Sequence, residues 1–302
     1  MIRSLRHVLA AAVVLLSLAA PCHAQLFKLT REQLVEITAD NPFERFPDGR
    51  PKVPDNLMQR AKDLSAEEVW AVLPGKGYKY QWADGFQILH PGLKLVGRAF
   101  TAQFMPARPD IMNALTANAT KAGIARYTHQ YALDQLQPGD VFVADMFGKK
   151  NDGPIVGDNL FYYIMKATGS AGLVVDGSVR DLEGLVEIKM PAYFRHADPT
   201  PIRDVMLTGI NVPIRIGEAT VNPGDLVFGD REGVYFIPPS LVETILDQAD
   251  VTHIHDEWTK KKFAEGKYKS SEIYGSPTDP ALKKEYEDYL AKRIAEIKAG
   301  RR

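Results

Sequence analysis

The sequence predicts an α/β protein with helical extensions at both ends. From about residue 87 the 302-residue chain is rich in short apolar strands separated by turns, the spacing expected of a sheet. One of these strands, 172–175, directly follows an amphipathic helical segment that opens at Gly157. A Pro-Gly-Asp pattern also occurs twice, at Pro138-Gly139-Asp140 and at Pro223-Gly224-Asp225. Each copy reads as a turn feeding a buried strand that ends in a carboxylate, Asp145 or Asp230. The composition, 45% hydrophobic and 25% charged, excludes a disordered, collagen-like or disulfide-dense chain. Lys plus Arg number 37 against 38 Asp plus Glu, with no basic stripe. That balance argues against a nucleic-acid partner.

Residues 1–24 read as a secretory signal, with Arg3, Arg6 and His7, an apolar run from Val8 to Ala20 and cleavage after Ala24. The run is too short for stable membrane insertion, so a secreted or periplasmic protein is expected. Cys22, the lone cysteine, leaves with the signal. Residues 25–55 form an N-terminal extension. Thr30 caps a short helix with Gln33 three residues on, and Asn41-Pro42 and the Pro47–Pro54 region break regular structure.

The main domain spans 56–250. Ser65 and Glu68 make a capping-box pattern ahead of Trp70 and Val72. Two strands, Leu93–Val96 and Ala99–Phe104, are expected on either side of Gly97. Ile111, Leu115, Ala119 and Ala122 give 110–125 helical spacing. A helix from Gly157 to Thr168 ends at Gly169, the usual residue after a last turn. The apolar strand 172–175 follows, then a turn at Asp176-Gly177-Ser178, then Val179-Arg180-Asp181. Residues 251–302 form a charged helical C-terminal extension. Tyr286, Leu290, Ile294 and Ile297 give its last helix an apolar stripe for its own surface or a partner subunit's.

The chemistry centres on Arg180 and Asp181. Asp supplies a hard oxygen ligand for Mg²⁺ or Mn²⁺, and Arg offers a forked cation for a developing oxyanion. The helix start at Gly157–Leu160 offers unpaired N–H groups to an anion. Taken alone, an Arg-Asp pair reads more readily as a turn with a surface salt bridge. There is no Gly-x-Ser-x-Gly elbow and no Walker loop. His253-x-His255 is read as part of a solvated helix, and His90, His129 and His196 as isolated hydrogen-bonding residues.

Residues 172–181, Gly-Leu-Val-Val-Asp-Gly-Ser-Val-Arg-Asp, resemble the signature of the RraA-like family. That family includes the 4-hydroxy-4-methyl-2-oxoglutarate aldolases and the regulator of ribonuclease activity A. Three further blocks agree in order: 90–101, 211–217, and 223–230 with Gly233-Val234. The resemblance covers about residues 56–260 and implies a swivelling β/β/α core assembled as trimers or hexamers. It implies a divalent-metal-dependent lyase of the aldolase or decarboxylase type. Such an enzyme cleaves a 4-hydroxy-2-oxo acid or oxaloacetate to pyruvate through a metal-stabilised enolate, with Mg²⁺ or Mn²⁺ as cofactor. The alternative is a non-catalytic binding or regulatory protein.

Carried over by position, the resemblance makes Asp181 the metal ligand and Arg180 the catalytic group at the keto oxygen. Gly157, Asp158, Asn159 and Leu160 would hold the substrate carboxylate through their backbone N–H groups. Asp158, with Glu257 or Asp256 of a neighbouring subunit, would hold metal-bound water. The chain departs from the pattern at Asn159, which stands where the aldolases carry an acid, with Asp158 one place earlier. The identity of the 2-oxo acid is left open.

Overall fold

The computed structural model describes residues 28–300. The signal expected at 1–24, with Cys22, lies outside the described residues. Eleven strands are defined among the described residues: β1 Trp82–Ala83, β2 Gln87–Ile88, β3 Leu95–Pro106, β4 Asp140–Asp145, β5 Leu173–Val179, β6 Ala192–Ala197, β7 Val205–Ile210, β8 Ile214–Ile216, β9 Ala219–Val221, β10 Leu226–Gly229 and β11 Val234–Ile237. Strands β3, β4, β5 and β6 run parallel through the centre of a nine-stranded sheet, in the order β1-β11-β10-β3-β4-β5-β6-β2. Strand β7 pairs antiparallel with the far half of β3, and β8 and β9 form a separate hairpin.

Ten α-helices accompany the strands among the described residues: α1 Arg31–Ile37, α2 Asp55–Ala61, α3 Ala66–Val72, α4 Pro109–Lys121, α5 His129–Leu133, α6 Asp158–Thr168, α7 Leu182–Leu185, α8 Val242–Ala264, α9 Ser270–Ile273 and α10 Pro280–Gly300. Alternation along the strands sorts the core into layers. Phe142 and Ala144 of β4, with Leu173 and Val175 of β5, face a cluster that includes Phe161 and Ile164 of α6. Val141, Val143 and Val174 point the other way, against Ile214, Ile216, Ala219 and Val221 of the hairpin. A third cluster joins α2, α3 and the first half of α8 to β10 and β11. Trp258, Ile273 and Leu282 form a small satellite core under the C-terminal helices.

The two predicted helix starts form as expected. Thr30 accepts from the Gln33 N–H at 3.1 Å, and Ser65 from that of Glu68 at 3.4 Å, with reciprocal side-chain bonds in both boxes. The break expected at Gly97 does not occur, and β3 runs unbroken through it. A Cβ there would lie 2.7 Å from the Gly139 carbonyl oxygen and 2.8 Å from Val141, so this glycine serves close strand approach and not a turn. Asp176-Gly177-Ser178 also stays within a strand, with a register irregularity between Val175 and Ser178. Gly177 there lets the Met146 side chain approach to where a Cβ would sit 2.5 Å away.

The N-terminal extension is pinned to the sheet by Arg50, which is fully buried. Its guanidinium bonds Asp48 at 2.9 Å and Asp140 at 3.1 Å, and lies between the Phe46 and Phe100 rings. At the other end, α8 continues without interruption through residue 250. Of the predicted α10 stripe, Tyr286 meets Trp258 at 5.2 Å between ring centroids, while Leu290, Ile294 and Ile297 are half-buried.

Candidate active site

Strand β5 ends at Val179, and the next two residues are Arg180 and Asp181. The segment before α6 runs alongside this end as an extra parallel partner, with Pro154 bridged to Ser178. The Ile155 N–H donates to the Ser178 carbonyl at 3.1 Å, and the Arg180 N–H to that of Val156 at 3.0 Å. These two bonds carry Gly157, the N-cap of α6, to the Arg-Asp pair. The helix start and the pair therefore meet in space. A Cβ on Gly157 would collide with Asp181 Oδ2 and lie 3.1 Å from Arg180 Nε.

Asp181 adopts a left-handed backbone conformation, φ 59° and ψ 44°, which Asp tolerates better than most residues. Its carbonyl accepts the N–H groups of Gly184 and Leu185 at 2.9 and 3.0 Å, so the same residue starts α7. The side chains of Arg180 and Asp181 are 39% and 45% exposed and pair at 3.3 Å. They form an open shelf above the α6 N-terminus, where the first N–H groups have no backbone acceptor within the helix.

Asp158 lies beside this shelf. Its Oδ1 accepts the Asn159 N–H at 2.7 Å, and a Cβ on Gly184 would come within 3.1 Å of its Oδ2. Gly184 thus leaves room for Asp158 against α7. Asn159 is exposed, and Leu160 packs against the helix-side core. Gly157, Asp158, Arg180 and Asp181 are therefore brought together within one chain.

Glu257 and Asp256 take other partners. Glu257 accepts from the Tyr289 hydroxyl at 2.7 Å and from Arg293 at 3.2 Å. The Tyr289 bond, then the Arg293 charge, hold its carboxyl below the usual range. Asp256 lies 3.5 Å from Lys260.

His129, set aside in the sequence as isolated, faces the charge of this site. Burial, then the Arg126 and Arg180 guanidiniums, push its imidazole below the ordinary value. No local motif marks it; only the fold brings α5 toward the end of β5. His253 and His255 diverge, to Glu68 at 2.6 Å and to the Gly275 carbonyl at 2.8 Å.

The repeated Pro-Gly-Asp strands do not converge on the shelf. Asp145 lies on the inner sheet face beside Asp176, which pairs with Arg195 at 2.7 Å. Burial, with the neighbouring Asp176 charge adding to it, raises the Asp145 carboxyl. Asp230 instead accepts the Ala66 N–H at 3.0 Å and caps α3. One runs in the parallel part of the sheet and the other in the antiparallel part, so their ends serve different neighbours.

The mixed α/β core thus presents an Arg-Asp pair beside a helix N-terminus, on an open shelf at a strand end. The chain belongs to the RraA-like family, whose Aldolase/RraA model matches residues 71–236. A Halalkalibacterium halodurans protein named "Putative 4-hydroxy-4-methyl-2-oxoglutarate aldolase" is 35% identical over 126 residues, 42% of this chain and 59% of that protein. Protein DlpA of Legionella pneumophila is 25% identical over 215 residues, 70% of this chain and 32% of DlpA. The chain thus matches less than two thirds of the length of either relative. Among solved structures, Streptomyces coelicolor RraAS2, titled an unusual member of the RNase ES inhibitor RraA protein family, superposes with a TM-score of 0.59. It is 28% identical, and the match covers 72% of this chain and all of that one. An uncharacterized Pseudomonas syringae protein shares the fold at the same TM-score and 23% identity.

Proposed function

We propose that the chain is a divalent-metal-dependent carbon–carbon lyase that releases pyruvate from a 4-hydroxy-2-oxo acid or oxaloacetate. The observation that carries this reading is the meeting of Gly157, Arg180 and Asp181 on one open shelf. The donor set suits a hard, largely hydrated cation such as Mg²⁺ or Mn²⁺: Asp181 offers one half-exposed carboxylate, with solvent on its open side. No group of three or more His, Cys, Asp or Glu able to enclose a metal is found among the described residues. When bound, such an ion supplies a Lewis acid that polarises the keto oxygen of the substrate.

The chain's own residues supply the rest. The N–H groups at the start of α6 hold the substrate carboxylate. The Arg180 guanidinium lies against the keto oxygen and stabilises the charge that develops there as the carbon–carbon bond breaks. Asp158 orients water at the shelf. On this reading the protein works as a trimer or hexamer, and Glu257 or Asp256 of a neighbouring subunit joins Asp158 in holding metal-bound water. The chain acts after export, as a secreted or periplasmic protein.

The test is pyruvate release from oxaloacetate and 4-hydroxy-2-oxo acids by purified protein with Mg²⁺ or Mn²⁺. Asp181→Ala abolishes release on this reading. No release from any of these substrates with metal present, in a folded protein, overturns it in favour of a non-catalytic regulator.

A further inference from the structure

A second pocket lies away from the Arg180–Asp181 shelf, where the N-terminal extension meets the antiparallel edge of the sheet. Its volume is about 400 Å³, and it is walled by residues 37–41, 77–81, the β8–β9 hairpin, the Asn222–Asp225 turn and Pro238–Ser240. Asp225 is the buried ionisable group in that wall, 3% exposed. Its Oδ2 accepts the Asn222 N–H at 2.8 Å. No partner for Oδ1, and no cation paired with this carboxylate, is found among the described residues. A buried carboxylate without a counter-charge is costly, and burial raises its pKa to about 7.

The same turn elsewhere in the molecule shows how such a carboxylate is matched. Asp140 follows the first Pro-Gly turn as Asp225 follows the second, and its Oδ2 likewise accepts the N–H three residues back, that of Gln137, at 3.0 Å. Its charge is met by the Arg50 guanidinium at 3.1 Å, which lies 4.8 Å from the Phe46 ring centroid and 5.1 Å from that of Phe100. The Asp225 pocket is likewise lined by aromatic residues, and no cation paired with its carboxylate is found among the described residues. Tyr78 and Tyr80 line it, Tyr80 being 65% exposed, and the face of a tyrosine ring attracts a cation. Asp40 and Glu218 add two exposed carboxylates, against Lys79 as the one cation lining it among the described residues.

We propose that this pocket binds a small organic cation, a guanidinium or primary ammonium compound, whose N–H groups meet the free oxygen of Asp225 between Tyr78, Tyr80 and Glu218. The charge balance favours a cation over a neutral sugar, because hydroxyl groups leave the Asp225 charge uncompensated. The site is independent of the lyase reading and shares no residue with it.

The test is isothermal titration calorimetry of the full chain at pH 8 and low salt, with agmatine and putrescine as probes and cellobiose as a neutral comparison. Agmatine or putrescine gives saturable binding, weakened at least tenfold in Asp225→Asn and in the exposed-site variant Glu218→Gln, and unchanged in Asp181→Ala. Should Asp225→Asn fail to fold, Glu218→Gln and Tyr80→Ala carry the comparison. Absence of saturable binding by both amines, equal binding by the folded pocket variants, or cellobiose binding as tightly as the amines overturns the proposal.

Discussion

Gly157 and Asp181 occupy one another's space: a Cβ on the first would overlap the carboxylate of the second. The missing side chain at the α6 N-cap is what lets the Arg-Asp pair rest on the helix start. Gly157→Ala therefore displaces Asp181 Oδ2 and presses on Arg180 Nε. Both side chains are 39–45% exposed and free to move outward, so the strain falls on the geometry of the site more than on the fold. The expected outcome is a loss of pyruvate release of at least about tenfold, equivalent to ~1.4 kcal/mol in the barrier, with Tm little changed. Steady-state assays beside thermal melts decide it; equal losses of activity and folded protein would sink it.

Arg180 pairs with Asp181 at 3.3 Å, and on the proposed reading it also meets a substrate oxygen. Lysine keeps the charge and loses the planar fork. Arg180→Lys is expected to lower kcat on the order of a hundredfold, the scale of removing one transition-state donor, while the protein melts as the parent does. A kcat near that of the parent, read in a metal-supplemented pyruvate assay, would remove Arg180 from the chemistry.

Much of this site was legible in the sequence because its parts are local. Gly157 and Gly169 bracket α6, and Val179-Arg180-Asp181 follows an apolar strand, so both features lie in short windows. Their meeting was not legible, since it rests on the bridge between Pro154 and Ser178, a pairing of strand edges that no local pattern marks. Gly97 and Gly177 were misread for one reason. A glycine that admits a neighbouring chain and a glycine that turns the chain look alike in sequence, and only the atoms opposite tell them apart. Arg50 was invisible in a Pro-rich extension because its partner Asp140 is distant in sequence.

That ion pair leads to a stability prediction. Arg50→Ala leaves the Asp140 carboxylate buried without its guanidinium, and loss of one partner of a buried pair costs roughly 3–5 kcal/mol. Asp140→Asn keeps an oxygen for the Gln137 N–H and removes the charge that Arg50 balances. The double variant is expected to lose less than the sum of the two single losses, because it leaves no unpaired buried charge. Urea unfolding of the four proteins reads this coupling directly. Strict additivity would mean the pair contributes no specific interaction, whatever its geometry.

Asp225 carries the last prediction, and its sign follows from burial. Desolvation raises its carboxyl to about 7 in the folded chain, against about 3.9 for an unfolded aspartate. The folded state therefore holds this proton more tightly than the unfolded state does. The stability that the neutral form contributes is complete below about pH 3.9 and is lost as pH rises through about 7. Asn at this position keeps an oxygen for the Asn222 N–H and does not ionise. The Tm of Asp225→Asn minus that of the parent should thus increase from pH 4 to pH 8, in the absence of any amine. Asp40, Glu218 and Lys79 also face the pocket, but they are present in both proteins and their own titration largely cancels in the difference. A Tm difference that stays flat across that range would show that Asp225 is not held in its neutral form by burial.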